Sequence, residues 1–193
     1  MNILVIPEDF RKDQYILKPI ICALIENVGI KQFHLNVCQN PLLGGISQAK
    51  DLDRLSEIIN QYPMVDLFLL CVDRDGEEGR RIALDNLEQN LVPLLRADQT
   101  FLAENAWQEL EVWVLAGHKL LDGWNWQAIR AERDPKEVYF APLVRTRGLE
   151  NTPGEGRKIL SEEAAHRFTR IRQFCREDIE NLFQRISQTR DVA

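Results

Sequence analysis

Histidine and cysteine, the side chains on which most zinc and iron sites depend, are scarce in this chain. It has three histidines and four cysteines in 193 residues. Cys22, Cys38, Cys71 and Cys175 are far apart and form no CxxC pair, which argues against both a zinc site and a disulfide framework. The first three sit in apolar surroundings and read as reduced core residues. No apolar run approaches the roughly 20 residues needed to span a bilayer. The opening stretch, MNILVIPEDF, lacks a basic region and turns acidic early, unlike a secretory signal. These absences lead us to expect a cytoplasmic protein with no membrane attachment. An excess of positive charge is also missing. Lys and Arg number 24 against 30 Asp and Glu, a net −6, which is unlike a general coat for nucleic acid. There is no internal repeat and no low-complexity tract.

What is present is a 45% hydrophobic content, enough for a core, in a length that suits one domain. The charge is uneven. Residues 1–129 hold 11 basic and 19 acidic residues, whereas residues 130–176 hold 11 basic and 7 acidic. An acidic front with a basic later segment suits a cation site beside a polyanion-holding surface, although scattered solvated arginines give the same count.

Apolar spacing divides the chain into alternating strands and helices. Asn2–Ile6 reads as a buried strand and Gln14–Asn27 as a helix. His34–Val37 alternates as a second strand. A loop over Asn40 to Ser47, with Gly44 and Gly45 adjacent, leads to an amphipathic helix at Asp51–Gln61. Asp66–Val72 is the most apolar strand, followed by a helix over Gly79–Leu95. Thr100–Ala103 and Trp107–Leu121 complete a fourth pair. Four strand-then-helix units predict an α/β fold, a Rossmann-like parallel sheet with helices on both faces. From residue 122 the pattern weakens, with a strand expected over Val138–Val144 and a last helix capped by Ser161. We therefore expect residues 1–121 to form the α/β domain. Residues 122–193 should form an irregular basic segment and a C-terminal helix packed on it.

In open parallel sheets, ligands sit at the carboxyl ends of the strands. Here strand one runs into Glu8-Asp9, strand three into Asp73-Arg74-Asp75-Gly76 and strand four into Glu104. Strand alternation places Asp73 and Asp75 on one face, where like charges repel. Clustered oxygen donors without histidine or cysteine suit hard cations such as Mg²⁺ or Mn²⁺. A turn followed by helix capping is the plainer explanation of the same aspartates. Helical spacing places Glu111 in a stripe with Trp107, Leu110, Val114, Leu115 and His118. There it needs a partner, a metal or a raised pKa, unless it reaches solvent at the stripe's edge.

Taken in order, these residues resemble a Toprim domain. Glu8 and Asp73-Arg74-Asp75 match the glutamate after the family's first strand and the Asp-x-Asp after its third. EDFRKDQYILKPII is similar to its segment leading into the first helix, and Gly44-Gly45 fits a paired-glycine loop. ELEVWVLA resembles a stretch of single-domain Toprim-like proteins related to anti-phage nucleases. The resemblance covers roughly residues 1–120. It departs at Asp9, where the family has glycine, and at Asp13, where an acid is expected earlier in the chain.

The resemblance implies Mg²⁺- or Mn²⁺-dependent phosphodiester chemistry on DNA or RNA, most simply by a nuclease, with a role in a defence system and a partner such as an ATPase. Asp73 and Asp75 would ligate metal. Glu8 would ligate metal or act as general acid/base, and Glu109 and Glu111 would complete the metal set. Lys18, Arg80, Arg81, Arg145, Arg147 and Lys158 are the candidate phosphate-binding residues. Arg157 lies in the same basic segment, PLVRTRGLENTPGEGRK, which reads either as a substrate-binding flap or as a solvated loop. Trp124 and Trp126 read as packing residues, with base stacking their other use. The alternative to an enzyme is a catalytically inactive module of this fold for partner assembly or nucleotide sensing, a reading that Asp9 and the negative charge favour.

Overall fold

The computed structural model describes residues 1–190. Four strands form one sheet: β1 (Asn2–Pro7), β2 (His34–Val37), β3 (Leu67–Asp73) and β4 (Thr100–Ala106). All neighbours are parallel, in the order β2-β1-β3-β4. The expected Rossmann-like α/β architecture is therefore what the chain adopts.

Strand alternation sorts the core into two layers. Leu4, Ile6, Phe68, Leu70, Val72, Phe101 and Ala103 face one way. They pack on α3 (Leu52–Gln61) and α4 (Arg80–Leu91), through Leu55, Ile58, Leu84 and Leu87. Ile3, Val5, Leu67, Leu69, Cys71, Leu102 and Ala106 face the other way. They meet α1 (Phe10–Val28), α5 (Glu111–Gly117) and the helices of the last third. Burial on both faces explains why β3 reads LFLLCVD, almost without polar interruption. Each fully buried Leu or Ile contributes about 1.5–3 kcal/mol, so the sheet is the centre of stability.

Local signals set the helix ends. Asp9 caps α1, its carboxylate accepting from Arg11 N–H at 2.9 Å. Gly29 closes the helix at φ 91°, a left-handed conformation that glycine adopts without a Cβ penalty. Asp51 caps α3 in the same way as Asp9. A short α2 (Ile46–Ala49) interrupts the expected loop.

Several expectations change. Strand β4 extends to Ala106, so Glu104 lies inside it and not beyond its end. The helix expected over Trp107–Leu121 is only Glu111–Gly117, because residues 107–110 form a loop with Gln108 at φ 72°. The strand expected over Val138–Val144 is helical: a π-helical turn at Lys136–Phe140 runs into α7 (Ala141–Thr146). Phe140, Leu143 and Val144 are buried at helical spacing, and Pro142, which has no N–H to donate, comes just after the π-helical turn. A further helix, α6 (Trp126–Ala131), makes the segment after residue 122 more regular than expected.

The last helix begins at Arg157, before Ser161, and is broken. It comprises α8 (Arg157–Ala165), α9 (Phe168–Phe174), a π-helical turn at Arg176–Glu180 and α10 (Asn181–Arg190). Its apolar spacing survives the breaks, since Phe168, Ile171, Cys175, Ile179, Leu182 and Ile186 all enter the core. Gly117 of α5 meets Ala164 of α8 so closely that a Cβ there would fall 2.5 Å from the alanine Cβ. Among the described residues, no helix is long and apolar enough to cross a membrane.

Candidate active site

The carboxyl end of the sheet is closed by two loops clamped together. After β3 the chain turns through Asp75 and Gly76, at φ 54° and 71°. Both conformations are left-handed, a region that aspartate tolerates and glycine favours. The backbone N–H groups of Arg74 and Asp75 donate to Gln108 O at 2.8 and 3.1 Å. Gly76 N–H donates to the Gln108 side-chain oxygen at 2.8 Å. The β4–α5 loop is thereby held over the β3–α4 turn, and Asp73 Oδ1 accepts from Leu110 N–H at 2.9 Å.

Glu8 joins Asp73 from the neighbouring strand, its Oε2 accepting from Asp73 N–H at 3.4 Å. Asp13, one turn into α1, bends back so that Oδ2 accepts from Asp9 N–H at 2.9 Å. Glu111 approaches from the start of α5. Glu8, Asp13 and Glu111 all lie near enough to Asp73 for their charges to act on it. Burial pushes Asp73 well above the usual carboxylate range, and the charges of Glu111, Asp13 and Glu8 push it further. Burial also raises Asp13 to about 7, with Glu111, Asp9 and Glu8 adding to the shift. Glu8 is raised, chiefly by burial and then by Asp75, while Asp73 N–H and Arg80 oppose the shift. On the rim, burial brings Glu109 to about 7 although it accepts from Lys136 N–H at 2.7 Å.

Two cations border the group. Arg157 forms a buried pair with Glu111, its Nε donating to Oε1 at 2.9 Å. Glu111 therefore has a partner, and the stripe reading that left it at the solvent edge does not hold. Arg80 is only 5% exposed, and its Nη2 lies 4.0 Å from Asp75. Its Nε has no hydrogen-bond partner among the described residues.

The remaining candidates lie elsewhere. Glu104 is buried but is bound to Arg81 at 2.9 Å, to Asn181 at 2.9 Å and to Arg185 at 3.6 Å. Arg81 is committed to this network and to Asp85 and Glu88, so it is not free for a phosphate. Arg147 pairs with Glu163. Arg145 lines a cavity of about 430 Å³ with Lys136, Phe140, Val144 and Arg157. Lys18 and Lys158 line another groove with Tyr15 and Glu162 on the outer side of α1. His118 is a satisfied core residue, its Nε2 lying 2.8 Å from Leu160 O.

Asp13 is the site residue that sequence reasoning did not place. Its signal was the Asp9 to Asp13 spacing, which lets the second carboxylate return to the helix cap. Among the described residues, no group of three or more His, Cys, Asp or Glu side chains is arranged to enclose a metal ion. Mg²⁺ asks for less, since it is commonly held by one or two carboxylates together with waters and substrate phosphates. The donors that Glu8, Asp73 and Asp75 offer are all oxygens, the kind such an ion takes. Comparison with models of known protein families, with characterised proteins and with solved structures returned no match.

Proposed function

We propose that the chain is a Mg²⁺-dependent phosphodiester hydrolase acting on nucleic acid, a nuclease of the Toprim type. The observation that carries this reading is the gathering of Glu8, Asp13 and Glu111 around Asp73, where burial and neighbouring carboxylates raise the pKa of Asp73, Asp13 and Glu8. Such mutual destabilisation is offset when a divalent cation replaces the missing positive charge. Asp73 and Glu8 would hold the ion, with Asp75 reaching it from the rim. Bound there, the ion would polarise a phosphate and stabilise a leaving oxygen. Burial raises the pKa of Glu8 above the usual carboxylate value, a shift in the direction that suits a group that accepts and returns a proton at the attacking or leaving oxygen. Arg80 offers a buried guanidinium with an unpartnered Nε–H for a phosphate oxygen. Glu111 is committed to Arg157, so it shapes the field of the site and is not a free ligand.

The second reading, an inactive module of the same fold, is favoured by the hydrogen bonds of two of these acids. Asp73 caps the approach to α5 through Leu110 N–H, and Glu111 is matched by Arg157. Both arrangements would serve architecture alone. Cleavage of labelled single-stranded and duplex DNA and RNA, with Mg²⁺ or Mn²⁺ and with EDTA, separates the two. The nuclease reading predicts metal-dependent cleavage that Asp73→Asn abolishes. Absence of cleavage on all four substrates, or cleavage unchanged in EDTA, contradicts it.

A further inference from the structure

Arg74 stands between Asp73 and Asp75 and pairs with neither. Among the described residues it forms no ion pair, and the arginine that approaches Asp75 is Arg80, at 4.0 Å. The Arg74 guanidinium instead lies 4.1 Å from the centroid of the Trp107 ring, and its Nε donates to Glu77 O at 3.3 Å. A cation without a carboxylate partner and a group of acids that repel one another are thus neighbours in the chain and do not meet.

Trp107 is itself held in place. Its backbone N–H donates to Asp178 Oδ2 at 2.9 Å, and its indole Nε1 donates to Arg130 O at 2.7 Å. The next residue, Gln108, accepts from the backbone N–H groups of Arg74 and Asp75, so the ring and the Asp-x-Asp turn keep a fixed relation. Arg130 lies 4.8 Å from the same ring, but it is matched by Glu177 at 2.6 Å and by Asp178 at 3.3 Å. Arg74 has no such match, so the indole face and Glu77 O are what hold it.

We propose that Trp107 is a positioning residue of the cation site: its indole face holds the Arg74 guanidinium off Asp73 and Asp75 and leaves their oxygens open to a divalent ion. The inference rests on the cation reading of the carboxylates. Released from the ring, an arginine between two carboxylates would pair with one of them, because charge-assisted hydrogen bonds to carboxylates are among the strongest a guanidinium makes. That pair would put a fixed positive charge where the ion belongs and occupy the oxygens it takes. Arginine suits the arrangement, since a planar guanidinium lies on an aromatic face better than a compact, strongly hydrated ammonium.

Calorimetric titration of Mn²⁺ into wild type, Trp107→Phe, Trp107→Leu and the double variant Trp107→Leu, Arg74→Gln tests the proposal. Phenylalanine keeps an aromatic face and loses the indole N–H, whereas leucine loses both. Trp107→Leu should bind Mn²⁺ about tenfold or more weakly than wild type. Trp107→Phe should bind close to wild type, and the double variant should recover the affinity that Trp107→Leu loses. A ring that served packing alone would give no recovery on removing Arg74. A second pair of variants leaves the ring in place. Arg74→Lys should weaken binding, because the ammonium leaves the indole for the aspartates, and Arg74→Gln should not. Melting curves show which variants fold, and if Trp107→Leu does not, the Arg74 pair decides alone. Equal affinity in wild type and Trp107→Leu, no recovery in the double variant, or equal affinity in Arg74→Lys and Arg74→Gln overturns the proposal and leaves the cation site standing. Wild type that takes up no Mn²⁺ overturns both.

Discussion

Glu104 and Asp73 lie on adjacent parallel strands, two registers apart, and both are buried, yet their surroundings are opposite. Around Glu104 two arginines answer the charge, with Asp178 the acid that opposes them. Arg81 and Arg185 reach it from two helices, and both also bind Glu88 and Ala103 O. Glu88 in turn accepts from Ala103 N–H at 2.7 Å. This network covers the open edge of β4, where unpaired backbone groups would otherwise invite another strand. Burial raises both acids, Glu104 to about 7, but the arginines oppose that rise at Glu104, whereas at Asp73 the charges of Glu111, Asp13 and Glu8 add to it. Burial alone therefore does not mark a functional acid. What marks it is burial that the rest of the fold leaves uncompensated.

The contrast can be broken most sharply at Asp73. Asp73→Asn keeps the shape and an acceptor for Leu110 N–H but removes the charge, and metal-dependent cleavage should fall by at least about a hundredfold, measured under single-turnover conditions. The metal-free protein should be no less stable for it, since repulsion is relieved. Arg81→Ala should act the other way. It leaves Glu104 buried with a weakened set of partners and should destabilise the fold by about 3 kcal/mol in urea unfolding, with the metal affinity unchanged.

Asp13 gives a smaller, pH-dependent effect. Its pKa rises from an unfolded value near 4 to about 7 in the fold. Between those values the folded state holds a proton that the unfolded state has lost, so the stability of the metal-free protein falls as pH rises from about 4 to 7. Asp13→Asn should flatten that decline and stabilise the protein by on the order of 1–2 kcal/mol above pH 7, read from urea titrations across pH. The smallest effect belongs to the exposed pair of Lys12 and Glu155. Lys12→Gln, which leaves the contact of Glu155 with Arg157 in place, should change stability by no more than about 0.5 kcal/mol in the same titrations.

The sheet was legible because its strands are short, apolar and bounded by polar turns, and Asp66–Val72 differs from the observed strand by one residue at each end. The acids at the ends of β1 and β3 were legible for the same reason, since strand ends fix where Glu8 and Asp73 must lie. Partners were not legible. Arg157 is 46 residues from Glu111 and Arg185 is 97 from Glu88, and local pattern carries no information on such pairings. Residues 138–144 misled because Val138, Tyr139, Phe140 and Val144 favour strands, while burial of Phe140, Leu143 and Val144 on one helical face prevailed. The break at Gln108 was hidden too, because Trp107 and Leu110 fit the helical stripe that begins only at Glu111.

Calorimetric titration of Mn²⁺ into wild type and Asp73→Asn tests the central claim most directly, that the uncompensated carboxylates at the end of β1 and β3 serve a divalent cation. Saturable binding by wild type, weakened more than tenfold in Asp73→Asn and unaffected in Arg81→Ala, is the expected result. Wild type that takes up no Mn²⁺, or Asp73→Asn that binds it equally well, would contradict the account.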